Sequence, residues 1–66
     1  MMRCGEVIFW RQKYGFIREN GTDERFFVHI NEVSFDAGAL HKGQQVSSEI
    51  GFTKQGRPQA INVVPL

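Results

Sequence analysis

Clusters of turn-forming residues interrupt this sequence at short intervals: Arg11-Gln12-Lys13, Asn20-Gly21-Thr22-Asp23, Asp36-Ala37-Gly38, Lys42-Gly43 and Gln55-Gly56-Arg57-Pro58. The segments between them are rich in β-branched and aromatic residues. Short runs of that kind, punctuated by turns, read as an all-β sandwich or barrel. No segment holds a long 3.6-residue apolar period, so no substantial helix is expected. Five strands are predicted, at 5–11, 14–19, 25–30, 44–52 and 59–65. The first three follow one another through short turns and form a meander. The stretch 31–43 is less regular. In it Asn31-Glu32-Val33-Ser34 reads as one turn of 3₁₀ helix, followed by an exposed loop.

With 66 residues the chain makes a single domain, 1–66, with a thin core. Five short strands in so few residues fit a closed or nearly closed barrel, because closure hides the sheet edges. The expected fold is therefore a five-stranded antiparallel Greek-key β-barrel, the OB-fold. Its expected core is Val7, Ile17, Phe26, Val28, Ile30, Val33, Val46, Ile50 and Val63, with Phe52 a further candidate.

Bulk properties remove several classes of function. Net charge is +1, so long-range attraction to phosphate cannot be the main source of affinity, although a local basic patch is compatible with it. Cys4 is the only cysteine, which excludes an intramolecular disulfide and a multi-cysteine zinc site. A small domain without a disulfide suits a reducing cytosol. The opening residues Met1-Met2-Arg3-Cys4-Gly5 carry no apolar signal core, and no apolar run approaches the roughly 20 residues that span a membrane. A cytoplasmic protein with no membrane partner is expected.

The aromatic residues carry the functional signal. Six Phe, one Trp and one Tyr make up 12% of the chain, more than so small a core needs. In Tyr14-Gly15-Phe16-Ile17-Arg18, side chains alternate across the strand, so Tyr14, Phe16 and Arg18 share one face. Burying Ile17 leaves that face outside. In Arg25-Phe26-Phe27-Val28-His29-Ile30, Phe26, Val28 and Ile30 form the better core face, which puts Phe27 and His29 on the other. Pairing of these strands sets Tyr14 and Phe16 beside Phe27 and His29, with Lys13 and Arg18 at the edge. A single Phe in a β-protein is usually core, and Phe26 is read so. Rings on two paired strands, opposite the aliphatic set, are better explained as a platform. Such a platform stacks successive bases of a single strand at roughly 1–3 kcal/mol each.

At these residues the sequence resembles the cold-shock domain family. The family's K-G-F-G-F-I motif corresponds to Gln12-Lys13-Tyr14-Gly15-Phe16-Ile17, with Lys13 at the motif's first Gly, and V-F-V-H-F to Phe26-Phe27-Val28-His29-Ile30. Its opening G-x-V-K-W-F is similar to Gly5-Glu6-Val7-Ile8-Phe9-Trp10. The later L-x-x-G-Q-x-V-x-F-E-I corresponds to Leu40 through Ile50, and G-P-Q-A-x-N-V to Gly56-Arg57-Pro58-Gln59-Ala60-Ile61-Asn62-Val63, with Arg57 inserted. The resemblance spans nearly the whole chain in the right order. It implies an OB-fold that binds single-stranded RNA and DNA with little sequence preference and acts as an RNA chaperone.

The strand faces and the resemblance together give an expected site of Phe9, Trp10, Lys13, Tyr14, Phe16, Arg18, Phe27, His29 and Phe35, with Arg57, the inserted residue, as a candidate phosphate contact. Several departures bear on that site. Phe9 stands where the family has Trp, and Trp10 where Phe is usual. The family places both rings near the nucleic acid, whereas strict alternation separates them and leaves open which one faces out. Ile8 replaces a Lys, and Ile30 an aromatic that stacks a base. Phe35 lies in the long loop, where the family often carries another stacking ring.

No catalytic, metal-binding or cofactor site is expected. His29 and His41 are the only histidines and no paired carboxylate motif accompanies them. No Gly-Lys-Ser/Thr phosphate loop is present, so ATP is not implied. The chain is read as a monomeric binding module, with strand exchange between two chains as the alternative state. The competing function is an OB-type module whose aromatic face binds protein or self-associates. An RNA-recognition motif would need two helices that no segment supplies.

Overall fold

A computed structural model describes residues 2–34 and 36–66. Strand β1 (Arg3–Arg11) and strand β2 (Tyr14–Glu19) are joined by the two-residue turn Gln12-Lys13, in which Gln12 has a φ of 55°. β3 (Arg25–His29) completes the meander. A 3₁₀ turn, Ile30–Glu32, follows it directly. After a loop come β4 (Gln45–Phe52) and β5 (Pro58–Pro65). The strands close in the order β1-β2-β3-β5-β4, so β4 returns to pair with β1. This is the five-stranded Greek-key barrel expected from the turn spacing, and among the described residues there is no α-helix.

One pairing departs from the antiparallel rule. β3 and β5 run parallel, through the single pair Phe27↔Gln59. The reason is parity. Strand direction can alternate all the way round a ring only when the number of strands is even, so five strands must leave one parallel seam. An isolated parallel bridge, Val33↔Val63, extends the seam beyond the 3₁₀ turn.

The core is Val7, Ile17, Phe26, Val28, Val33, Leu40, Val46, Ala60 and Val63, with Trp10, Ala37 and Ile50 packed against it. Period-2 alternation accounts for most of this list. Four expectations need correction. Ile30 is only half-buried, because the chain leaves β3 for the 3₁₀ turn at that residue. Ile50 is half-buried at the edge of the core. Phe52 is 69% exposed, since β4 has run past the end of the barrel there. The loop before β4, expected to be exposed, folds inward at Leu40, which is 2% exposed.

Two bulges tune the alternation. Between Val7 and Phe9, β1 carries one residue more than β2: Val7 pairs with Ile17 and Phe9 with Phe16. Between Ile61 and Val64, β5 likewise carries one residue more than β4, with Asn62 at a φ of 51°. Asn tolerates that left-handed conformation better than most side chains. Each extra residue flips the phase of its strand. In β5 the flip is what brings both Ala60 and Val63 inside.

Candidate nucleic-acid interface

The bulge in β1 decides which aromatic side chain faces out. Gly5 and Val7 point inward, and uninterrupted alternation would carry Phe9 inward with them. The extra residue reverses this. Phe9 emerges on the outer face, 42% exposed, opposite Phe16. Trp10 turns inward opposite Gly15 and packs against the core. Gly15 is required by this arrangement. A Cβ there would meet the Phe9 carbonyl oxygen and lie 2.7 Å from Cε3 of Trp10. The indole Nε1 of Trp10 is buried, with no hydrogen-bond partner among the described residues.

Phe9, Tyr14, Phe16 and Phe27 form a closed quadrilateral of rings on the outer face of β1–β3. Ring centroids are 6.1 Å apart for Phe9–Tyr14, 6.0 Å for Tyr14–Phe27, 5.9 Å for Phe27–Phe16 and 6.2 Å for Phe16–Phe9. Tyr14 and Phe27 are stacked with planes 27° apart, and Phe16 meets Phe27 edge-on at 72°. The pairs lie at the spacing at which aromatic rings attract one another, which holds the exposed rings in place. The ladder sets them there: Phe16 lies directly opposite Phe27, and Tyr14 directly opposite His29.

His29 is half-buried and holds the chain as well as the surface. Its Nδ1 accepts the Asn31 backbone N–H at 3.1 Å, capping the 3₁₀ turn. An Nδ1 that accepts leaves the ring proton on Nε2.

The cations lie around the rings. Lys13 is exposed in the β1–β2 turn. Arg57 lines an open groove of about 510 Å³, whose walls include Phe16, Phe27 and Pro58. Arg18 is exposed, and its guanidinium is 3.4 Å from the Glu6 carboxylate. Arg25 was not among the expected site residues. It lines the Arg57 groove and also a second groove of about 430 Å³ shared with Ile8, Phe9 and Phe16. The signal for it was present in the sequence, since Arg25, Phe27 and His29 are spaced by two on one strand.

The structure thus gathers Phe9, Tyr14, Phe16 and Phe27 on one surface, with His29, Lys13, Arg18 and Arg57 on the elements around it. Trp10 stands apart on the inner face. Phe35 lies outside the described residues. Among the described residues no group of His, Cys, Asp and Glu is placed to hold a metal ion, and no helix is long and apolar enough to cross a membrane.

Comparison with known proteins agrees with this geometry. The family model of the 'Cold-shock' DNA-binding domain matches residues 5–66. The chain is 40% identical over 68 residues to Cold shock protein CspD of Bacillus subtilis (strain 168), covering 98% of this chain and 100% of that protein. The solved structure of drosophila Unr CSD456 superposes with a TM-score of 0.81 at 23% identity, over 100% of this chain. This chain spans 27% of that one, and the likeness at this identity is one of fold. Cold-shock domains bind nucleic acid and are not enzymes, the character expected from the absence of catalytic motifs in the sequence. From motif order, barrel topology and these matches together, the chain belongs to the cold-shock domain family of nucleic-acid-binding OB-fold proteins.

Proposed function

We propose that this protein binds single-stranded RNA and DNA with low sequence specificity and acts as an RNA chaperone. The observation that carries the reading is the quadrilateral of Phe9, Tyr14, Phe16 and Phe27 on the outside of the barrel. Every base has a π-face, so a row of rings holds unpaired bases whatever their identity, at roughly 1–3 kcal/mol per stacked base. Lys13, Arg18 and Arg57 supply the phosphate contacts that place the strand without reading its sequence. His29 extends the stacking surface in this reading. Trp10 acts from beneath, by supporting the strand that carries Phe9.

The mechanism is passive. Rings that hold unpaired bases withdraw them from base-paired structure, and mass action opens weak hairpins without ATP. The protein works in this way as a single monomeric domain in the cytoplasm. The likeness to a protein named for cold shock supports a role under stress.

Two measurements test this. Fluorescence anisotropy of a labelled oligopyrimidine should rise on titration at low salt. A fluorophore–quencher RNA hairpin should brighten as the protein is added. No change of anisotropy would overturn the reading and leave the exposed rings to a protein partner. Binding without hairpin opening would leave a single-strand binder and remove the chaperone.

A further inference from the structure

Arg25 lies on the outer face of β3, two residues before Phe27. It and Phe16 are the residues common to the two open grooves beside the platform. One groove is walled by Phe27, Arg57 and Pro58, and the other by Ile8 and Phe9. At about 510 and 430 Å³, each is of the size that takes a small-molecule group. A strand passing from one groove to the other crosses Phe16 and meets Arg25.

The charge pattern points the same way. Arg25 stands directly opposite Arg18 in the β2–β3 ladder. Like charges facing each other across a ladder are unfavourable. Arg18 is relieved by Glu6 at 3.4 Å, whereas Arg25 makes no ion pair among the described residues. Its guanidinium is left for an anion from outside, and a phosphodiester suits its planar fork of donors.

We propose that Arg25 binds the phosphodiester that joins two successive nucleotides, one in each groove, with Phe16 between their bases. This rests on the platform being a single-strand site. It adds register to that site. The rings accept any base at any offset, but only a strand whose linkage reaches Arg25 satisfies the guanidinium.

The test compares wild type with Arg25→Gln and Arg25→Lys. Each is titrated with a thymidine hexamer carrying ordinary phosphodiesters, and with the same hexamer carrying uncharged methylphosphonate linkages. On the charged hexamer, Arg25→Gln should bind about three- to tenfold more weakly. The slope of log affinity against log salt should become shallower by about 0.7, and Arg25→Lys should keep the slope. On the uncharged hexamer, Arg25→Gln and wild type should bind alike. An unchanged slope and affinity in Arg25→Gln would overturn the proposal, as would a loss that persists on the uncharged hexamer, which would mean contact with a base. Failure of wild type to bind the charged hexamer would overturn the platform reading itself.

Discussion

The indole of Trp10 occupies the space that a side chain at position 15 would need. The two residues face each other across the β1–β2 ladder, and a Cβ on Gly15 would lie 2.7 Å from the ring. Gly15→Ala therefore has to displace the ring or the Phe9 backbone. Overpacking of this kind costs about 1–3 kcal/mol. Urea denaturation should show the loss. Gly51→Ala, whose Cβ would have side-chain atoms of Ile61 as its nearest neighbours, Cδ1 at 3.0 Å and Cγ2 at 3.3 Å, and no backbone atom as close, should cost less.

Phe9 and Trp10 should separate function from stability. Phe9→Ala removes an exposed ring and should lower oligonucleotide affinity by roughly 1–3 kcal/mol with little change in urea midpoint. Trp10→Ala should do the reverse, destabilising the barrel by about 3 kcal/mol. Trp10→Phe should be nearly neutral. It keeps a ring against the core and removes the buried Nε1–H that lacks a partner, a burden of about 1–3 kcal/mol.

Phe16→Ala and Phe27→Ala should each reduce affinity for a short oligopyrimidine by roughly 1–3 kcal/mol while circular dichroism retains the barrel signal. Loss of the folded spectrum would mean that the rings are structural. Their neighbour Phe26, 6% exposed, serves as the contrast, because its truncation to Ala should cost about 3–5 kcal/mol of stability.

Phe26 and Ser48 offer a core exchange. Both line one small space that opens toward Arg3 and Cys4, and Ser48 is 4% exposed. The cold-shock pattern has Val at the first position and Phe at the second, so the bulk has moved across the barrel. Phe26→Val alone should leave a cavity, and Ser48→Phe alone should overpack, each at about 1–3 kcal/mol. The double variant should recover much of the loss, which a double-mutant cycle in urea would measure.

Gln12 takes a left-handed conformation at 55° in a two-residue turn. That conformation costs a non-glycine residue roughly 1–2 kcal/mol. Gln12→Gly should stabilise the protein by about 0.5 kcal/mol, since part of the gain is offset by the greater freedom of Gly in the unfolded chain. Thermal unfolding would detect it.

The legible parts of the fold were those written in local pattern. Turn clusters marked the strand ends, and the alternation in Tyr14–Arg18 and Arg25–His29 placed Tyr14, Phe16 and Phe27 outside and Ile17, Phe26 and Val28 inside. What escaped depended on residue count or distant closure. The extra residue before Phe9 leaves no mark in a period-2 pattern, so the orientation of Phe9 against Trp10 could not be read. Leu40 is buried because a loop folds over the barrel, and a loop has no period to reveal it. Phe52 looks like core in sequence and is exposed because the strand outruns the barrel. Arg25 was legible by alternation, two residues before Phe27 on the same face, but it carries no ring and belongs to neither family motif.

The odd strand count has a mechanical consequence. A barrel with equal seams would strain evenly when pulled open, but here, among the described residues, one seam is held through the pair Phe27↔Gln59 and the Val33↔Val63 bridge. That seam works as the molecule's zip, and Phe27 sits on its lip. Amides along β5 that face β3 should therefore be the first of the barrel to exchange with solvent. A strand laid over Phe27 would be a clasp across the closure, and protection of the β5 amides should then rise when an oligonucleotide is added.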